Sequence, residues 1–363
     1  MASGIYYENV IMKSHVDLLG GYEGVGWTRN IKNNPTIIDG GGQGNVVKME
    51  YKGEGYATFD GFIVRNGDYG FYRAVLPSVW DLIISNNEFI GAGIRIEILG
   101  SVTIKNNIIH DVPGDAMLFR QPNTLSIINN LIYNNDSGCY TFHEVATTKY
   151  INNTFVNNGT GIKMQRDKPH IISNNIIIGN DIGIENTVSA EYTITNNNVW
   201  NNQTNYLNCT PGTGTISKDA FFSDSESNDY NLTADSPCID AGTNDAPELP
   251  KADLNNNSRI IDGDGDEVAI VDIGAFELQE ISPVADITVS SITGLTTNEN
   301  FAIATFTIVL NVEPVVDVTI DISSSNETDG AIFPEILTFR TLDLLDFVLI
   351  LGHKLTSNLY QEK

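Results

Sequence analysis

Apolar residues fall along this chain in short alternating runs separated by Asn, Asp or Gly, and no stretch carries the three-to-four spacing of a helix. The runs repeat. The motif apolar-x-Asn-Asn-x-apolar recurs from Ile84 to Phe89, Ile104 to Ile109, Ile127 to Ile132, Tyr150 to Phe155, Ile172 to Ile177 and Ile194 to Val199, with first asparagines 20, 23, 23, 22 and 22 residues apart. Ile37-Ile38-Asp39-Gly40 and Thr58-Phe59-Asp60-Gly61 read as earlier versions of the same slot, because Gly, like Asn, accepts a positive φ. Several units add a glycine followed by alternation, as in Gly138-Cys139-Tyr140-Thr141 and Gly161-Ile162-Lys163-Met164. A unit this short cannot bury its own apolar face and has to stack on its neighbours. Stacking predicts an all-β solenoid, a parallel β-helix rising by about 4.8 Å per coil. Asparagines, which tolerate left-handed backbone and both donate and accept, are expected to form its corners and to hydrogen-bond from coil to coil.

These coils resemble the right-handed parallel β-helix repeats of the pectate-lyase-like superfamily over residues 1–235. GIYYENVIMKSHVDLLGGYEG and NPTIIDGGGQGNVV resemble the opening coils of its secreted bacterial members. The resemblance speaks for a fold more than for an activity, since the superfamily holds lyases, hydrolases, epimerases, phage tailspikes and adhesins.

From Asp219 to Asp286 the repeat is gone, and 17 acidic residues face only Lys251 and Arg259. Within residues 236–280, SPCIDAG, ADLNNNSRIIDGDGD and VDIGAFE resemble the choice-of-anchor Q domain, which implies an acidic capping module closing the C-terminal end of the solenoid. Residues 283–340 alternate again between Pro and Ser-Asn turns, predicting a partial immunoglobulin-like β-sandwich. That stretch resembles a Calx-beta domain, which would make Glu299 and Asp321 calcium-region carboxylates. Residues 341–363 are leucine-rich, depart from that pattern and read as an atypical tail that leaves the sandwich incomplete.

The formal charge of −26 argues against phosphate-driven nucleic-acid binding and favours cations. Asp262, Asp264 and Asp266 alternate with glycines as a calcium-binding loop would, and Asp253, Asn255 and Asn257 offer a second oxygen set. The match to an EF-hand is incomplete, because Glu267 stands where that loop needs glycine. Cys139, Cys209 and Cys238 have no metal-binding or redox spacing and read as buried thiols, with one disulfide possible. No apolar run approaches a membrane span, and no basic, then apolar, segment opens the chain. The expectation is a domain entered part-way, its signal removed, from a monomeric protein that the resemblance places outside the cell or on a bacterial surface.

Any chemistry on a β-helix lies on outward columns, since the interior is filled. Counting from the asparagines puts Ala116, Cys139, Ile162 and Ile184 inward and Met117, Tyr140, Lys163 and Glu185 outward. Phe119, Phe142 and Gln165 follow, then a corner column of Arg120, His143 and Arg166, with Arg95 and Glu97 one coil below. This is a locally basic, aromatic strip. Guanidinium groups pair carboxylates and rings stack on sugars, so Arg95, Phe119, Arg120, Tyr140 and Phe142 are the candidate contacts for an acidic polysaccharide or cell-surface glycan. Uronate elimination would need a base, for which His143, Lys163, Arg166 and Tyr140 are candidates, with Arg120 neutralising the carboxylate. A hydrolase would need a close acid pair, and Asp111 with Asp115, assisted by His110, is the pair the coils offer. Two functions follow: polysaccharide binding or adhesion, and, as the alternative, a polysaccharide lyase or C5-epimerase acting on pectate- or alginate-type glycans. The coils lack long insertions that would wall a cleft, which favours binding.

Overall fold

The computed structural model describes residues 1–50, 53–142, 147–165, 169–187, 189–279, 287–290, 304–310, 317–323, 331–333, 336–339 and 347–352. The chain forms two compact units, Met1–Glu280 and Ile281–Lys363.

In the first unit successive coils contribute strands to three parallel faces. Face 1 holds Asp115–Arg120, Ser137–Phe142, Thr160–Met164, Ile182–Asn186 and Thr204–Leu207. Face 2 holds Thr124–Ile128, Thr147–Ile151, His170–Ser173 and Tyr192–Thr195. Lower in the stack, the long strands Tyr69–Ser85 and Ile94–Lys105 run across both. Face 3 is a sheet of nine short strands from Gly4–Tyr7 to Asn198–Trp200, including Ile108–His110, Leu131–Tyr133, Thr154–Val156 and Ile176–Ile178. The parallel β-solenoid expected from the repeat is therefore the fold. Its interior is made of like residues in register: Ile109, Ile132, Phe155, Ile177 and Val199 from face 3, and Ile104, Ile127, Tyr150, Ile172 and Ile194 from face 2. Each such side chain stabilises the stack by about 1.5–3 kcal/mol.

The paired asparagines divide two tasks. The first of each pair, Asn86, Asn106, Asn129, Asn152, Asn174 and Asn196, turns the corner between faces 2 and 3 with φ between 50° and 59°. The second points inward and forms a ladder, in which the side-chain N–H of Asn87, Asn107, Asn130, Asn153 and Asn175 donates to the amide oxygen of the next coil at 2.9–3.0 Å. A second ladder, not anticipated from the repeat, runs up the corner between faces 3 and 1 through Asn135, Asn158, Asn180, Asn202 and Asn205 at 2.8–3.0 Å. Asp39-Gly40 belongs to that second corner, because Asp39 pairs in register with Arg65 at the end of a face-3 strand. Asp60-Gly61 does lead into the first corner, with Asn86 donating to Asp60 at 2.6 Å. Glycines open face 1 because the coils approach closely there: a Cβ on Gly138 or Gly161 would lie 2.5 or 2.7 Å from a carbonyl oxygen of the next coil.

Face 3 presents apolar residues outward as well as inward, so it has to be covered. Residues 219–279 do this. The hairpin Phe222–Asp224 with Asp229–Leu232 lays Phe222 and Tyr230 over Leu131, Tyr133 and Val156, while Cys238, Ile239 and Ile273 cover Ile176 and Ile178. The acidic stretch expected to close the C-terminal end instead runs as a strap along the asparagine corner. It is tied to four successive coils: Arg259 donates to Asn129 at 2.6 Å, Asn152 to the Asp272 carbonyl at 2.9 Å, Asn174 to the Thr243 carbonyl at 3.0 Å and Asn196 to the Gly242 carbonyl at 3.2 Å. The last coil is met by an earlier segment, through Asn196 N–H to Thr213 and Val199 N–H to Ile216. The reason is chemical: each corner asparagine has a side-chain amide left to satisfy, and a chain laid along the corner satisfies all four.

Inside the strap, Arg259 and Glu277 form a fully buried ion pair at 2.9 Å. Burial outweighs their attraction on both sides, holding Arg259 below and Glu277 above the ordinary value. Asp272 beside them is pushed up to about 7, first by burial and then by the Glu277 charge. It thus binds a proton more tightly folded than unfolded. The resulting stabilisation is complete below its ordinary value of 3.8 and is lost as pH rises through about 7. Limited proteolysis is expected to release the strap more readily at pH 8 than at pH 5, and Asp272→Asn to remove most of that difference.

The second unit is antiparallel. Ile287–Ser290, Ala304–Leu310, Phe347–Gly352 and Ala331–Phe333 form a four-stranded sheet in that spatial order, and Val318–Asp321 pairs with Ile336–Phe339. Among the described residues, Ile308, Leu337 and Phe339 form its buried cluster. The leucine-rich tail read as atypical contributes Phe347–Gly352 to the interior of the sheet, which its β-branched, apolar run explains. Glu299 lies outside the described residues, and Asp321 ends a strand.

Candidate functional site

Strand register fixes which side chains share a column on face 1. Lys48, Tyr72, Arg95, Leu118, Tyr140, Lys163, Glu185 and Leu207 stand in line from coil to coil. At the coil rise this column is about 34 Å long. Glu97 and Arg120 are in register beside it.

Two expected members are elsewhere. Met117 and Phe119 are fully buried in the solenoid core, with Met117 in register with Cys139. The corner from His110 to Asp115 holds one residue more than the corner from Tyr133 to Ser137, so counting from the asparagines misplaces this strand by one, and a slip of one exchanges inside for outside. Leu118 takes the outward place of Met117, and Phe119 cannot be a sugar contact. Phe142 is in register with Arg120, but its side chain lies outside the described residues, as do His143 and Arg166.

The strip is also not a bare cationic surface. Arg95 donates to Glu97 at 2.6 Å and to the Tyr69 hydroxyl at 3.0 Å, Arg120 lies 3.6 Å from Glu97, and Lys163 lies 3.1 Å from Glu185. Lys163 also stands 5.3 Å from the centre of the Tyr140 ring, whose hydroxyl donates to Gln165 at 2.8 Å. Tyr69 and Tyr72, 5.5 Å apart, extend the aromatic part downward and were not expected from the sequence. In these pairs the cations are partly exposed, Arg95 at 31% and Lys163 at 32%, above carboxylates that are largely buried, Glu97 at 10% and Glu185 at 14%. The arrangement can hold an extended, hydroxyl-rich chain carrying occasional negative charge.

The candidate acid pair is divided between two faces. Asp111 faces the His110 imidazole at 2.8 Å on face 3, where His110 stacks on Tyr133 at 4.8 Å. Burial opposes the His110 charge, yet Glu88 and Asp111 outweigh it and raise its pKa. Asp115 opens a strand of face 1, where burial raises its pKa against the pull of Ser137, Lys163 and Arg95. The two carboxylates thus have different partners, Asp111 the His110 imidazole and Asp115 the Ser137 side chain.

In the strap, Asp240, Asp262 and Asp264 bring carboxylate oxygens within 4.8 Å of one another, a group suited to a divalent cation. Asp240 stands where Asp266 was expected. The Asp266 carboxylate instead accepts the Val268 N–H at 2.8 Å, as a turn-capping aspartate does. Carboxylate oxygens of Asp240 accept the backbone N–H groups of Gly263 and Asp264, and those of Asp262 accept Gly265 and Glu267. All three cysteines are free thiols. Among the described residues no helix is long and apolar enough to cross a membrane.

Residues 45–222, just under half of the chain, match the family model described as right handed beta helix region. The match spans the coils that carry face 1. A comparison with curated proteins finds no match.

Proposed function

We propose that this protein binds an acidic polysaccharide along face 1, outside the cell or on its surface, and does not cleave it. The observation that carries this reading is where the cover stops. Among the described residues, the hydrogen bonds, ion pairs and apolar clusters that join residues 219–279 to the coils all fall on faces 2 and 3 and the corner between them. Face 1 keeps its column of Tyr72, Arg95, Tyr140, Lys163 and Glu185 half-exposed. A repeat of one residue per coil suits a repeating polymer laid along the axis. Elimination of a uronate would need a free base near the C5 proton; of the four candidates, Lys163 is paired with Glu185 and Tyr140 donates to Gln165, while His143 and Arg166 lie outside the described residues.

In the same reading Asp240, Asp262 and Asp264 hold calcium that stiffens the strap. The strap and the second unit are then modules of the choice-of-anchor Q and Calx-beta types.

Immobilised polygalacturonate is expected to retain the protein at low salt, with retention falling as salt screens the contacts. The Arg95→Ala/Lys163→Ala variant should bind at least about tenfold more weakly. No unsaturated, ultraviolet-absorbing product should form. Product formation that depends on Lys163 would replace binding by lyase chemistry.

A further inference from the structure

A cleft lies on face 2, lined by none of the residues of the charged column. The strap does not lie flat on this face. Between residues 243–247 and the strands His170–Ser173 and Tyr192–Thr195 it leaves a cleft of about 310 Å³, lined by Ile171, Ser173, Thr193, Thr195, Asp245 and Pro247 among others. That volume is within the range of small-molecule sites.

The lining is chemically one-sided. It contains hydroxyls, one carboxylate, one amide and apolar side chains, and no Lys, Arg or His. Ser173 is buried and accepts from the Thr195 hydroxyl at 3.1 Å, which fixes that wall. The Thr193 hydroxyl and the Asp245 carboxylate are exposed and have no hydrogen-bond partner among the described residues. Asp245 is itself held in place, its N–H donating to the Thr243 hydroxyl at 3.3 Å. Beside these polar groups lies apolar surface, Ile171 next to Thr193 on the strands and Ala246 and Pro247 next to Asp245 on the strap.

A cleft without a cation cannot neutralise an anionic ligand, and a bare carboxylate would repel one. A carboxylate accepting two neighbouring hydroxyls, a hydroxyl that both donates and accepts, and an apolar wall for C–H groups together match a neutral pyranose. We infer that this cleft binds an uncharged sugar unit, separately from the acidic glycan of face 1. The inference does not rest on the face 1 reading.

Maltotriose, cellotriose and mannotriose, titrated into the full-length protein, test it through the methyl resonances of Ile171 and Ala246. At least one should shift both resonances saturably. Asp245→Asn should weaken that binding by about tenfold or more and Thr193→Val by about fivefold. Both positions are exposed, so the fold should be unchanged by circular dichroism. The Arg95→Ala/Lys163→Ala variant should bind the trisaccharide as the unaltered protein does. The inference is overturned if none of the three shifts these resonances, or if the shifts survive Asp245→Asn. A trisaccharide effect lost only in the face 1 variant would overturn it equally, by moving neutral-sugar binding to the charged column.

Discussion

Asn153→Ala is expected to destabilise the solenoid by about 4 kcal/mol or more, a large effect for a residue with no part in the apolar core. Its side chain is fully buried and makes four hydrogen bonds. The amide donates to the Ile127 carbonyl at 2.8 Å and to Asn175 at 2.9 Å, and its oxygen accepts both the backbone and side-chain N–H of Asn130 at 3.0 Å. Alanine keeps the backbone but strands donors and acceptors of two neighbouring coils away from water, each costing about 1–3 kcal/mol. Urea unfolding followed by circular dichroism measures the loss. Asn123→Ala, at an exposed corner of the same stack, should stay within about 0.5 kcal/mol. Equal effects for the two would mean that the ladder contributes nothing beyond the turn.

Arg259→Ala should cost about 3–5 kcal/mol and act chiefly on the strap. The guanidinium is fully buried and donates to Glu277 at 2.9 Å, to Asn129 at 2.6 Å and to the Gly274 carbonyl at 2.9 Å. Its removal leaves Glu277 without a counter-charge in a site where Asp272 already resists ionisation. Release of residues 236–279 to protease at temperatures where the coils remain folded is the expected result. Replacing both partners, as Arg259→Met/Glu277→Met, should recover much of the loss, because it removes the buried charges together. Simultaneous unfolding of strap and coils in Arg259→Ala would show that they are one cooperative unit.

The coils were legible in the sequence because their physics is local and repeated. A corner that needs a left-handed residue and then a buried amide selects Asn-Asn at every turn, so six pairs announce six corners. The second ladder was obscured because its left-handed place is filled variously, by Asp111, Asn134, Asn157, Gly179 and Asn201. Counting failed at Met117 and Phe119 for a related reason: one inserted corner residue changes neither period nor composition, yet exchanges the faces of the strand. The outward Leu131, Tyr133, Ile176 and Ile178 did carry a signal that face 3 is covered. What covers it was not legible, since the strap's bonds to Asn129, Asn152 and Asn174 join residues 69 to 130 apart with no period. The choice of Asp240 over Asp266 in the acidic group is of the same kind, set by a chain reversal that spacing does not encode.

Amide hydrogen exchange with and without polygalacturonate tests face 1 most directly. Binding there should slow exchange in Asp115–Arg120, Ser137–Phe142 and Thr160–Met164 and leave the strap and the face 3 strands unchanged. Protection confined to residues 236–279, or none at saturating polymer, would contradict the assignment of face 1 as the binding surface.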